Sequence, residues 1–280
     1  MQCLFVSDLH GHPSRYEALF EMVKENQPDG VFIGGDILPG GFGVSSNIEN
    51  EMNAMFFKPL QTMKKQVPSC EFYVIFGNDD PQIYEYLLQD AHKKGLLHYV
   101  HNQCVEFHDD YVIGYSCVPP TPFQLKDWER YDVSRFVDPG SVSPEVGIRS
   151  VPMDIHEIRD HTIAKDLKQL VQKSPPEHSI YLFHTPPYNT KLDRAALDGK
   201  SVDHAPLDVH VGSIAVQRFI KKYQPKITLH GHIHETVRLT NTWKQTLGKT
   251  VMLSAAHDGA ELSVILFDTD QPTKATRILV

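Results

Sequence analysis

The stretch LFVSDLHGHPSRYEALFEMVKENQPDGVFIGGD, residues 4–36, decides the fold. Its start belongs to a short apolar run, residues 2–6, that ends at Ser7-Asp8. A helix is predicted next. Ser14 as N-cap with Glu17 makes a capping box, and Tyr16, Leu19, Phe20 and Val23 recur at helical spacing. Gln27-Pro28-Asp29-Gly30 stops the helix, and Val31-Phe32-Ile33 forms a second strand ending in Gly34-Gly35-Asp36. The order repeats downstream. Residues 47–66 read as a helix broken or kinked by Pro59, residues 72–76 as a third strand ending in Gly77-Asn78-Asp79-Asp80, and residues 81–94 as another helix. Strand, helix and strand in alternation mean βαβ units and a largely parallel sheet.

Beyond this core, residues 99–118 read as a hairpin turning near His108-Asp109-Asp110. Residues 119–153 carry Pro, Ser and charge with weak periodicity, as a substrate-shaping segment does. Asp154 and Glu157 open a helix to about residue 172. Residues 179–183 form a strand, Ser213 caps a helix, and residues 226–229 form another strand. The tail alternates short strands at 236–240, 250–254, 262–267 and 275–279. No repeat or linker divides the chain, so residues 1–280 read as one α/β domain.

Composition sets the outer limits. Hydrophobic residues make up 41% and charged residues 22%, which excludes collagen, coiled coil and a disordered tail. The expectations are no membrane span, no secretory signal at the N-terminus, and a cytoplasmic location with four reduced cysteines lacking CxxC spacing. The net charge of −8 argues against nucleic acid as a partner. Sixteen histidines are the one unusual count, and their positions carry the chemistry.

Five motifs each follow directly on a predicted strand: Asp8-Leu9-His10, Gly35-Asp36, Gly77-Asn78-Asp79-Asp80, His184-Thr185-Pro186-Pro187 and Gly231-His232-Ile233-His234. Carboxyl ends of strands are where α/β sites assemble. Taken singly, each has a plain explanation in turn chemistry or a surface histidine. Taken together and in this order, their carboxylates, imidazoles and amide are a donor set for two divalent metals of the Mn, Fe or Zn kind. No thiolate joins them, which speaks against structural zinc.

The set and its order resemble the calcineurin-like metallophosphoesterase superfamily, with its D-x-H, G-D, G-N-H-[DE], H and G-H-x-H blocks, over residues 4 to about 240. The resemblance implies a four-layer α-β-β-α sandwich of two mixed sheets flanked by helices. It implies one metal on Asp8, His10 and His234, the other on Asn78, His184 and His232, and Asp36 bridging both. Asn78, Asp79 and His184 are the expected catalytic residues. The implied reaction is attack on phosphorus by a hydroxide bridging two divalent ions. The chain departs from the superfamily pattern at Asp79, where histidine is usual. An ionised aspartate would repel a phosphate dianion, so phosphodiesters or activated esters are expected over simple monoesters. In this respect the chain resembles smaller Gly-Asn-x-Asp members.

Around this centre, Gly40-Gly41-Phe42-Gly43 reads either as a lip or as an ordinary turn. Trp128 with Lys126, Arg130, Arg135 and Arg149 could hold a nucleobase and a phosphate, against the plainer reading of a loop docked by its aromatics. Tyr188 and Lys191 are expected to line the site, whereas Met52, Met55 and Phe56 are expected in the core. His230 reads as structural or as support for the ligands, and His12 as a polar loop residue. The expected function is a metal-dependent phosphodiesterase on a small or nucleotide-like ester. The competing readings are a nuclease and a non-catalytic interaction scaffold on the same fold. The tail strands offer an edge for a homodimer.

Overall fold

The computed structural model describes residues 1–39 and 47–280. The glycine-rich segment at Gly40–Gly43 lies outside the described residues. In chain order the strands are β1 (Gln2–Val6), β2 (Gly30–Gly34), β3 (Glu71–Ile75), β4 (His98–Tyr99), β5 (Cys104–Phe107), β6 (Asp110–Tyr115), β7 (Ser179–Phe183), β8 (Ser201–Val202), β9 (Ala205–Pro206), β10 (Ile227–His230), β11 (Lys244–Leu247), β12 (Thr250–Ser254), β13 (Ser263–Asp268) and β14 (Thr276–Leu279). Two six-stranded sheets result, ordered β14-β13-β1-β2-β3-β4 and β11-β12-β10-β7-β6-β5, with β8-β9 as a separate small hairpin. In the first sheet β1, β2, β3 and β4 run parallel, and the antiparallel pair β13 and β14 extends one edge. In the second sheet β6, β7, β10 and β12 are parallel, with antiparallel edge strands β5 and β11.

Side chains alternate across each strand and both faces are apolar, as strands covered on two sides require. Phe5, Phe32 and Tyr73 point to a core shared with Ile180, Leu182, Leu229 and Leu253 of the second sheet. Their neighbours Leu4, Val31, Ile33 and Val74 face the other way, toward helix residues such as Leu19, Phe20, Phe56 and Leu60. On the far side Tyr181 and Phe183 meet Leu167, Val216 and Phe219. The layers are therefore helix, sheet, sheet, helix.

Several local readings need correction. The first helix is Pro13–Asn26, and its N-cap is His12, without a side-chain bond, in place of Ser14. Pro13 presets φ for the first helical position, so the helix begins before the serine. Asp154 and Ser213 do cap their helices, accepting from His156 N and Val216 N. The predicted helix from 154 to 172 is two, Ile155–Asp160 and Ile163–Leu170, because Thr162 caps the second afresh. The 47–66 helix widens into a π turn at Asn53–Phe57. Pro59 has no N–H to bond backward, and the wide turn just before it accommodates that gap. Only residues 104–115 form the expected hairpin, while β4 joins the other sheet.

Residues Thr236–Thr240 form a short helix where a strand was expected. The Thr236 and Thr240 hydroxyls both donate to the Lys191 carbonyl, at 3.1 and 2.9 Å. Hydroxyls four residues apart converge on one acceptor only on a helical face. Among the described residues no helix is long and apolar enough to cross a membrane.

Candidate metal centre

Asp8, Asp36, Asn78, His184 and His232 all lie just past the ends of β1, β2, β3, β7 and β10. Parallel strands bring those ends to one edge of the two sheets. The backbone there is unusual. Asp8, His10, Asp36 and His232 have φ of 59, 47, 51 and 73°, in the left-handed region that non-glycine residues seldom enter. Each such residue costs on the order of 1 kcal/mol or more and persists only where its surroundings fix it. Here they do. Asp8 N donates to Gly35 O at 3.0 Å and His10 N to Asp36 O at 2.7 Å. His232 N donates to Asp8 Oδ1 at 3.1 Å, and Asp79 N to Asp36 Oδ1 at 2.9 Å.

Two donor groups form. Asp8, His10, Asp36 and His234 make one, and Asp36, His184 and His232 the other, with the donor atoms of each within 4.8 Å of one another. Asn78 joins the second group through its Oδ1, 3.0 Å from His184 Nε2. Its amide nitrogen donates to Asp79 Oδ1 at 3.0 Å, which turns the oxygen toward His184. His184 Nδ1 donates to Gly34 O at 2.7 Å, so the neutral ring carries a lone pair on Nε2. That lone pair faces Asn78 Oδ1 and, at 3.2 Å, Asp36 Oδ2. His184 Nε2, Asn78 Oδ1 and Asp36 Oδ2 thus meet at one place, where a proton on Nε2 or a bound cation joins them. In the other group His10 Nε2 and His234 Nε2 meet at 3.2 Å. The nitrogen and oxygen donors gathered at each place fit borderline divalent metals.

Charge follows the same logic. Burial alone would lower His184, but Asp36 beside it raises the ring to about 10. His234 is likewise raised to about 9 against burial by its bond to Asp8. Burial would raise Asp8, yet His234 brings it down to about 2. Burial and then the positive neighbour His184 hold His232 down to about 3. Burial and then Asp36 push Asp79 up to about 7.

Residues with no place in the sequence reading of the site support it. Arg15 donates to Asp8 O at 2.7 Å and to Gly259 O at 2.7 Å, holding the strained Asp8 peptide against the segment after β12. Asp80, fully buried, accepts from Gly77 N, Ile37 N and Leu38 N at 2.8, 3.0 and 2.7 Å. It ties the loop of Asp36 to the loop of Asn78. A Cβ on Gly77 would stand 2.2 Å from Asp36 Oδ1, so only glycine admits this approach. No motif marks Arg15, and the only sign for Asp80 was its place after Asn78.

The remaining expected residues are located as follows. His230 is structural. Its Nδ1 donates to Thr185 O (2.9 Å), its Nε2 accepts from Thr228 Oγ1 (2.8 Å), and its ring stacks on Phe183. His12 is exposed at the helix start. Trp128 and Lys126 are buried, so they cannot hold a ligand. The indole donates to Asp80 O at 2.7 Å, and the lysine pairs with Glu129 at 2.6 Å. Arg130 spends its guanidinium on the carbonyls of Asp127 and Glu129. Met52 and Phe56 are core. Tyr188 is half-buried, four residues after His184, and Lys191 is exposed.

The model of the calcineurin-like phosphoesterase family matches residues 1–236. Among solved structures, TT1561 of Thermus thermophilus is similar at 16% identity and TM-score 0.58, over 99% of this chain and 98% of that one. Phosphopantetheinyl hydrolase of Mycobacterium tuberculosis is similar at 15% identity and TM-score 0.50, over 91% and 89%. At such identities the likeness is one of fold. No curated protein matches the chain by sequence.

Proposed function

The chain belongs to the calcineurin-like phosphoesterase family, whose members are metal-dependent phosphoester hydrolases, and from that premise we propose that it is a dinuclear phosphodiesterase acting on a small or nucleotide-like ester. The observation that carries this reading is the pair of donor groups sharing Asp36. Asp8, His10 and His234 would hold one ion and Asn78, His184 and His232 the other, with Asp36 common to both groups; Mn, Fe and Zn suit this set. Two divalent ions so held would supply hydroxide from water near neutral pH and Lewis-acid stabilisation of the phosphoryl group.

The chain's own residues do the rest. Gly34 O fixes the His184 tautomer that turns Nε2 inward. Asn78 gives one amide hydrogen to Asp79 and keeps a second for a phosphoryl oxygen. Asp79, ionised beside two bound cations, opposes a dianion, and a diester carries one negative charge fewer.

A nuclease is disfavoured by the net charge of −8. A scaffold is disfavoured by seven donor positions that all carry competent side chains. Four cysteines, all free, support a cytoplasmic location. The test is hydrolysis of bis-p-nitrophenyl phosphate against p-nitrophenyl phosphate with added Mn²⁺. Mn-dependent turnover that favours the diester is expected. Equal or better turnover of the monoester would remove the diester assignment, and no turnover with any divalent ion would remove the enzyme.

A further inference from the structure

Between Pro186 and Ser213 the chain builds a cap that the metal donors do not use. It leaves donor His184, and its far side is tied to the residues just after donor His234. Arg194 N donates to Thr236 Oγ1 at 3.1 Å and Ala196 N to Glu235 Oε1 at 3.0 Å. The cap therefore stands between two donor-bearing loops. It also meets the other long connection, since a Cβ on Gly140 would touch Val202 and Leu207.

Within the cap lies a carboxylate with no exposed surface, Asp193. It accepts from Asn189 N (2.9 Å), Thr190 N (2.9 Å), Gly212 N (3.2 Å) and His210 Nδ1 (2.8 Å). Burying a carboxylate in a surface connection is costly unless it is fully bonded. This one orients a histidine. With Nδ1 held on Asp193, His210 turns Nε2 away from the buried acid, and the side chain keeps 26% of its surface exposed. Its ring meets Tyr188 edge to face, centroids 6.0 Å apart at 71°. The Tyr188 hydroxyl donates to Asp208 Oδ2 at 2.7 Å, while Asp208 Oδ1 accepts from His210 N at 2.9 Å. Two half-exposed rings are thus locked at their polar atoms, on the segment that leaves donor His184 and is bonded to the residues just after donor His234.

We propose that Tyr188 and His210 form the subsite for the organic group of the ester, and that this group is a planar heterocycle of the nucleobase type. The inference rests on the phosphoesterase reading above and deepens it. Rigid aromatic side chains bind flat rings with little loss of conformational freedom, and stacking on them is tolerant of ring identity. His210 Nε2 adds one hydrogen bond to the ring edge. An alkyl ester would use neither feature.

The test uses the Mn-loaded full chain, with calorimetric affinities for adenosine 5′-monophosphate and for inorganic phosphate as probes. The wild type is expected to prefer the nucleotide by about tenfold or more. Tyr188→Ala and His210→Ala are expected to bring that ratio close to unity, while Tyr188→Phe, which keeps the ring, retains most of it. A variant that only loosens the fold weakens both probes and leaves the ratio alone, so an unchanged ratio in both alanine variants overturns the proposal. Equal affinities in the wild type overturn it too. If the wild type hydrolyses bis-p-nitrophenyl phosphate but shows no nucleotide preference, this inference alone falls. If it neither hydrolyses the diester nor binds phosphate, the phosphoesterase reading falls with it.

Discussion

Asp79 stands where the superfamily pattern places histidine, and the structure changes what that substitution means. Burial and Asp36 push its carboxyl to about 7, and Asn78 holds one of its oxygens. It sets a carboxyl group in the place of an imidazole, with a negative charge where the imidazole would have a positive one. Asp79→His is accordingly expected to raise the monoester-to-diester ratio of kcat/KM by about tenfold or more; a ratio that does not move would show that this position does not set the preference. Arg15 acts at one remove. Its guanidinium bonds the carbonyl of Asp8, whose left-handed backbone needs that restraint. Arg15→Ala is expected to weaken Mn²⁺ binding about 10- to 100-fold by calorimetry. Unchanged affinity would mean that the remaining bonds hold Asp8 unaided. The sequence marks Asp79 as the departure from the superfamily pattern, but not its partner Asp36, which is distant in the chain; no motif marks Arg15.

At the scale of elements, what the sequence makes legible are the strands with both faces apolar and the polar residues that end them. β1, β2, β3, β7 and β10 follow from continuous apolar runs, and each delivers a donor at its end. Less legible are features decided by bonds to distant chain. The Thr236–Thr240 helix depends on the Lys191 carbonyl, and edge strand β11 forms only by pairing with β12. The π turn before Pro59 and the break at Thr162 are local, yet they reverse a periodicity that runs through them.

One element carries a pH prediction. His230, at the end of β10, is lowered to about 4 by burial, and His101, packed between Tyr115 and Trp128, to about 3 by burial and then Arg130. Unfolded, both rings take a proton near 6.5. Their contribution to stability is therefore complete above about pH 6.5 and is lost as pH falls from there toward the folded values, at up to about 1.4 kcal/mol per pH unit for each ring. The measurement is the NMR titration of the two imidazole Cε1–H resonances. They are expected to keep neutral-ring shifts from about pH 8 to about pH 5. A midpoint near 6.5 for either would contradict the packing described.

Across the whole molecule, two sheets packed face to face bring five strand ends to one edge, and the long connections at 119–153 and 185–213 are hydrogen-bonded to the residues just after Asn78 and His234. The arrangement concentrates Asp8, Asp36 and four histidines in two donor groups that share Asp36. The hydrolytic reading, the role of Asp79 and the aromatic subsite all depend on cations being held there. The most direct measurement is elemental analysis of the purified wild type beside Asp36→Asn. About two divalent ions per chain are expected in the wild type, with a marked loss in the variant that removes the shared carboxylate. A folded wild-type chain that takes up no divalent metal, or a variant that retains the full complement, would contradict a dinuclear centre built on Asp36.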